Sequence, residues 1–191
     1  NDDIDKIIPL NDMKGYELLK ATMFGFGYPN YGVALLLKEE ATGKIFLQRV
    51  KITGSNAKPR ILEIFKDEVI GLPGIPTVSA LPLNGPEYMF FAVDKNVYCL
   101  DLNNITKPVT LYKSFDANVV AMNAESETYS CAHMAVGLEN GEFYILMIYG
   151  AKNLSEEEKV IYPKHGAAYP AEERMGRIVD IKYKQLDHWN Y

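Results

Sequence analysis

The stretch "AHMAVGLENGEFYILMI", residues 132–148, predicts a β-hairpin. Two apolar runs flank the polar segment "ENGE", and Gly141 supplies the residue that a tight turn favours. Similar stretches occur at 32–50, "GVALLLKEEATGKIFLQRV", and at 87–102, "EYMFFAVDKNVYCLDL". The chain therefore contains one hairpin pattern three times, and this repetition decides the predicted fold.

The repeating unit is longer than the hairpin alone. Phe46, Tyr98 and Tyr144 lie near the start of the second hairpin strand, at intervals of 52 and 46 residues. Each hairpin is preceded and followed by a short strand-like segment. The preceding segments are 17–24, 77–83 and 118–124, and the following ones are 61–67, 110–115 and 159–164, which align Phe65, Tyr112 and Tyr162. The unit is therefore four strands, recurring about every 50 residues.

Four-stranded repeats of this length are typical of β-propeller blades, which bury their faces against one another. We predict an all-β, propeller-like fold that forms a single domain over residues 1–191. Its parts are three blades and one leftover strand. The approximate ranges are 16–70, 71–116 and 117–166 for the blades, and 176–184 for the strand. A β-sandwich is the alternative, because it also accommodates seven or more short strands.

The predicted ring is incomplete. Propellers usually have at least four blades, and the chain opens with "NDDIDKIIPL", without an initial Met. We therefore expect the chain to be the C-terminal part of a longer propeller. A dimer of two half-propellers is the alternative.

Composition excludes some classes of partner. The net charge is −5 and no basic block occurs, which argues against nucleic-acid binding and against anionic membrane surfaces. No apolar run approaches the length of a membrane span. Cys99 and Cys131 both lie in apolar strand-like segments, where we expect buried free thiols; the alternative is a disulfide, whose pairing the sequence does not determine. Cysteine usage therefore leaves the redox compartment open.

Catalytic and metal-binding motifs are not found. None of His133, His165 and His188 has a second His or Cys at ligand spacing. Asp101 and Asn103 alternate as in a calcium loop, but the remaining oxygen ligands are missing, so we interpret "DLNN" at 101–104 as a turn. The sequence predicts no catalytic residue, no metal and no cofactor.

An enzymatic alternative rests on few residues. A glycoside hydrolase or lyase on a propeller scaffold needs paired carboxylates near the axis. Asp180, on the leftover strand, and Glu17 are the candidates. The segment 153–160, "NLSEEEKV", predicts a short helix with a solvated acidic face.

Two Tyr-Pro segments form the candidate binding site. "GFGYPNYG" at 25–32 contains Tyr28, Asn30 and Tyr31, and "AAYPAEERMG" at 167–176 contains Tyr169. An exposed tyrosine ring stacks on a sugar ring, while a neighbouring amide bonds its hydroxyl groups. The alternative is that Tyr-Pro caps the sheet edge and stiffens the loop.

The motif "NGEFYILMIYG", followed by a loop and by "GRIVDIKYK" near the end, resembles the C-terminal region of the PKD-like family of surface lipoproteins from Bacteroidetes. The resemblance implies a lipoprotein at the outer membrane or in the periplasm that takes part in nutrient capture. No lipobox Cys and no PKD-like module occur in this sequence, so a membrane link would need a lipid anchor that this chain lacks.

Three functional hypotheses follow. The first is a non-enzymatic segment of a cell-envelope lipoprotein that binds a glycan, a peptide or a partner protein through its loops. The second is a structural or assembly module that binds no small ligand. The third is the propeller-type glycoside hydrolase or lyase.

Overall fold

The computed structural model describes residues 13–24, 32–55, 58–82, 87–128, 131–149 and 166–168. Every regular element within these ranges is a β-strand. The chain divides into two compact units, Asn1–Val69 and Ile70–Tyr191, each of which is described by itself.

The strands form three antiparallel sheets of four, each with its strands in chain order. The first sheet contains β1 (Tyr16–Phe24), β2 (Gly32–Glu39), β3 (Ile45–Ser55) and β4 (Lys58–Glu68). The second contains β5 (Val78–Ala80), β6 (Tyr88–Val93), β7 (Asn96–Asp101) and β8 (Thr110–Ser114). The third contains β9 (Val119–Thr128), β10 (Cys131–Leu138), β11 (Phe143–Tyr149) and β12 (Gly166–Ala168).

The predicted all-β class and the three antiparallel units are confirmed. Three predicted details differ or lie outside the described residues. The fourth strand of the third sheet is Gly166–Ala168, a few residues after the predicted segment at 159–164, which lies outside the described residues. The leftover strand at 176–184 and the helix at 153–160 also lie outside them.

The second strands of the first and second sheets show that these two sheets are covered on both faces. In β2, Ala34–Leu37 are all buried, and in β6 Met89–Ala92 are all buried. Successive side chains of a strand point to opposite faces, so an unbroken buried run means that both faces are covered. The apolar runs that predicted the hairpins are therefore central strands.

The turns between the second and third strands follow local chemistry. Gly43 and Gly141 have φ values of +72° and +88°, in the left-handed region that suits glycine. The turn of the second sheet places Asp94 there instead, with a φ of +52°. Because an acidic or amide side chain tolerates this region better than most residues, two-residue turns accept Asp at this position.

The second and third sheets share one apolar core within the second unit. The second sheet contributes Phe90, Ala92, Val97 and Cys99. The third sheet contributes a row on one face of its strands; the buried members are Val119, Met122, Ala124, Ala132, Met134, Val136, Leu138, Leu146 and Ile148. The first strands of the two sheets, β5 and β9, lie next to each other. The Thr77 hydroxyl donates to the Val119 carbonyl oxygen at 3.2 Å, which fastens the start of β9 to the segment before β5.

Equivalent backbone hydrogen bonds recur in different repeats. In the first sheet, the Glu40 N–H donates to the carbonyl oxygen of Gly15, the residue before β1, at 2.9 Å. In the third sheet, the Glu139 N–H donates to the carbonyl oxygen of Asn118, the residue before β9, also at 2.9 Å. Each bond joins the residue that follows the second strand to the residue that precedes the first. The first and third sheets therefore share connection geometry as well as strand order.

Candidate functional site

Three of the predicted ligand-binding residues, Tyr28, Asn30 and Tyr31, lie outside the described residues. The strands that flank them are described. Phe24, the last residue of β1, is the register partner of Gly32, the first residue of β2. The segment 25–31 therefore connects two paired strand ends, at the end of the first sheet where its first strand finishes.

Tyr169, the fourth predicted residue, also lies outside the described residues. It follows β12, whose last residue, Ala168, is the register partner of Tyr144. In a sheet of four antiparallel strands in chain order, the first and fourth strands run in opposite directions. The chain therefore leaves β1 and β12 at opposite ends of the repeating unit. The two Tyr-Pro segments do not occupy equivalent positions in their own sheets.

A polar surface that the sequence did not predict lies at one end of the second unit, where β9 begins. The Asn118 Nδ2 donates to Glu139 Oε2 at 3.2 Å, and the Asn140 Nδ2 donates to Glu142 Oε2 at 3.1 Å. These residues belong to the connection before β9 and to the turn between β10 and β11. The amides and carboxylates bond one another, so their first role is to hold the turns in place.

A second pair of polar residues, at the ends of two strands, has the same role. The Ser114 hydroxyl donates to Asn96 Oδ1 at 2.7 Å across the ends of β7 and β8. The Asn96–Ser114 and Asn118–Glu139 bonds join residues 18 and 21 positions apart, and hydrophobic periodicity carries no signal for such pairs.

The electrostatics of the second sheet argue against a reactive thiol. Burial raises the pKa of Cys99 far above its ordinary value of 9.0, and the Asp101 carboxylate raises it further. Burial also raises the pKa of Tyr112, with a smaller contribution from Cys99, and it raises the pKa of Tyr88. A thiol held in its neutral form is a poor nucleophile and a poor metal ligand. Cys99 is a free, buried cysteine, as predicted.

Cys131 belongs to β10, and its side chain lies outside the described set. Nothing in the structure tests the second half of the cysteine prediction. No described group of three or more His, Cys, Asp or Glu side chains lies close enough together to hold a metal ion.

The turn that resembles a calcium loop has an internal structure of its own. The Asn103 N–H donates to Asp101 Oδ1 at 2.9 Å, and the Asn104 N–H donates to the Asp101 carbonyl oxygen at 3.1 Å. An Asp side chain that accepts from the backbone two residues ahead is an Asx-turn. The turn interpretation of residues 101–104 is therefore confirmed.

The remaining candidates are placed as follows. His133 is half-buried within β10. Glu17 is exposed on β1, and its Oε2 lies 3.1 Å from Lys38 Nζ. His165, His188 and Asp180 lie outside the described residues. Glu17 therefore has a cation as its described neighbour, and no described contact joins it to a second carboxylate.

No protein-family model matches the chain, and no curated protein matches it. Within the part of the chain that the structure describes, no helix has the length and hydrophobicity needed to cross a membrane.

Proposed function

We propose that this chain is a non-enzymatic binding module built from propeller-type blades. The observation that carries the proposal is the packing within the second unit. Two four-stranded sheets bury one face each in a shared core, with their first strands side by side. Blades of a propeller pack in this manner around an axis. The recurring hydrogen bonds before β1 and β9 support the same repeat.

Ligand contact is proposed at the loops, because the described sheet interiors are filled by apolar side chains. Tyr28, Asn30 and Tyr31 are the proposed contacts for a glycan or a peptide. They lie in a seven-residue connection between strands whose ends are paired, so the two ends of the loop are held close together. A loop anchored on a rigid scaffold is a common place for recognition residues. Tyr169 is proposed as a separate contact at the opposite end of its own sheet.

A binding assay with matched variants tests this proposal. The probes are a panel of soluble polysaccharides and a library of peptides, measured by titration calorimetry against the full chain. For a probe that binds, we expect the double change Tyr28→Ala and Tyr31→Ala to weaken affinity about tenfold or more, since each ring stacks on the ligand. Tyr169→Ala tests the separate contact, with a smaller effect expected because only one ring is removed. Unchanged affinity in both variants, with unchanged circular dichroism, would overturn the proposed site.

The proposed setting is the cell envelope, as a segment of an outer-membrane-anchored or periplasmic lipoprotein. The resemblance to PKD-like surface lipoproteins is the support for this setting. Intact mass of the native protein, with fractionation of its source cells, tests it. A lipid-modified parent in the envelope fraction is expected, and an unmodified protein in the cytosolic fraction would contradict it.

One observation favours an assembly module as the second candidate. The first sheet has exposed apolar side chains on both of its edge strands, Leu18 and Met23 on β1 and Leu62 on β4. Exposed apolar residues on an edge strand favour pairing with another chain. Light scattering at increasing concentration separates the candidates. A mass that rises with concentration, and falls when Met23 is changed to Lys, would favour assembly.

A further inference from the structure

We draw no further inference here: the strongest candidate, the half-buried face of the third sheet on the side opposite its shared core, where Phe143 and Ile145 alternate with the core residues of β11, carries nothing because nothing in the structure shows what covers that face.

Discussion

Phe46 in the first sheet and Tyr144 in the third occupy the same position of the repeat, but different neighbours cover their rings. Phe46 lies edge-on to Tyr16, with ring centroids 5.6 Å apart, and Lys66 Nζ lies 3.6 Å from the centroid of that tyrosine. Tyr144 packs against Phe115 at 4.9 Å, beside the shared apolar core of the second unit.

The repeat determines the position of the aromatic residue, whereas each sheet has different residues packed against its ring. Strand pairing determines the aromatic position, because Phe46 is the partner of Leu37 and Tyr144 is the partner of Val136 on the second strand. The cover is local. The first sheet uses a tyrosine and a lysine from its own first and fourth strands, whereas the third sheet uses the phenylalanine that follows β8.

The largest expected effect comes from opening the shared core. Phe90 is fully buried and lies edge-on to Tyr112, with centroids 5.2 Å apart. Phe90→Ala should lower the free energy of unfolding by about 3–5 kcal/mol, because it leaves a cavity. The measurement is urea unfolding followed by circular dichroism.

Leu18→Ala is the matched control, since Leu18 is 48% exposed in the first sheet. Its expected cost is below about 0.5 kcal/mol. Equal losses in the two variants would mean that the core of the second unit is not packed as described.

Alkaline pH should lower the free energy of unfolding of the second unit, because titratable groups are buried in or beside its apolar core. The folded protein holds the protons of Cys99, Tyr88 and Tyr112 more tightly than the unfolded chain, because all three pKa values are raised. Groups with a raised folded-state pKa contribute full stability below their unfolded pKa and lose it as pH rises. Since the ordinary values are 9.0 and 10.0, stability should fall above about pH 9.

Tyr112→Phe provides the comparison for this pH dependence. The variant lacks one titrating group, so its stability should fall less steeply with pH in urea titrations between pH 8 and pH 11. The Tyr112 hydroxyl is buried and has no hydrogen-bond partner among the described residues, so the change should not lower stability at neutral pH. If the free energy of unfolding fell equally with pH in the original chain and in Tyr112→Phe, this would contradict the raised pKa of Tyr112.

Turn conformation should have a smaller effect, and one that differs between sheets. Gly141→Ala places a side chain at a φ of +88°, which should cost about 1–2 kcal/mol. Asp94→Gly, in the corresponding turn of the second sheet, relieves a left-handed residue and adds the flexibility of glycine. Its net change should be within about 1 kcal/mol of zero. Thermal unfolding of both variants measures the difference. Equal shifts of the unfolding midpoint in the two variants would contradict the prediction.

The smallest effect is expected from the cation–π contact between Lys66 and the Tyr16 ring in the first sheet. Lys66→Met keeps the aliphatic stem and removes the charge above Tyr16, so stability should fall by about 0.5–1 kcal/mol. Lys113→Met is the control, because Lys113 Nζ lies 5.6 Å from the Phe115 centroid, a longer contact. Chemical unfolding at low salt measures both. An equal or larger loss of unfolding free energy in the Lys113→Met control would contradict a stabilising contact between Lys66 and Tyr16.

Much of the fold could be predicted from the sequence because its signals are local. Apolar runs such as "VALLL" and turn residues such as Gly141 lie within a few positions of each other, so hairpins and their repetition are visible. The strand Gly166–Ala168 of the third sheet could not be predicted, because "GAA" has small residues with little preference for strands. Its position depends on pairing with β11.

The candidate site could be predicted only as residue types. Tyr28, Asn30, Tyr31 and Tyr169 were chosen because of the chemistry of their side chains. The opposite exits of the chain from β1 and β12 follow from strand direction, which becomes available once the sheets are known. The bond from Asn118 to Glu139 joins residues 21 positions apart, a separation that neither composition nor periodicity encodes.

The central claim is that the second and third sheets pack as successive repeats, with Phe115 and Tyr144 in contact where they meet. A double-mutant cycle with Phe115→Leu and Tyr144→Leu in the full chain measures that contact directly. We expect a coupling free energy of about 0.5–1.5 kcal/mol, as for other edge-to-face or tilted aromatic pairs. Additivity of the two changes within about 0.3 kcal/mol would contradict it.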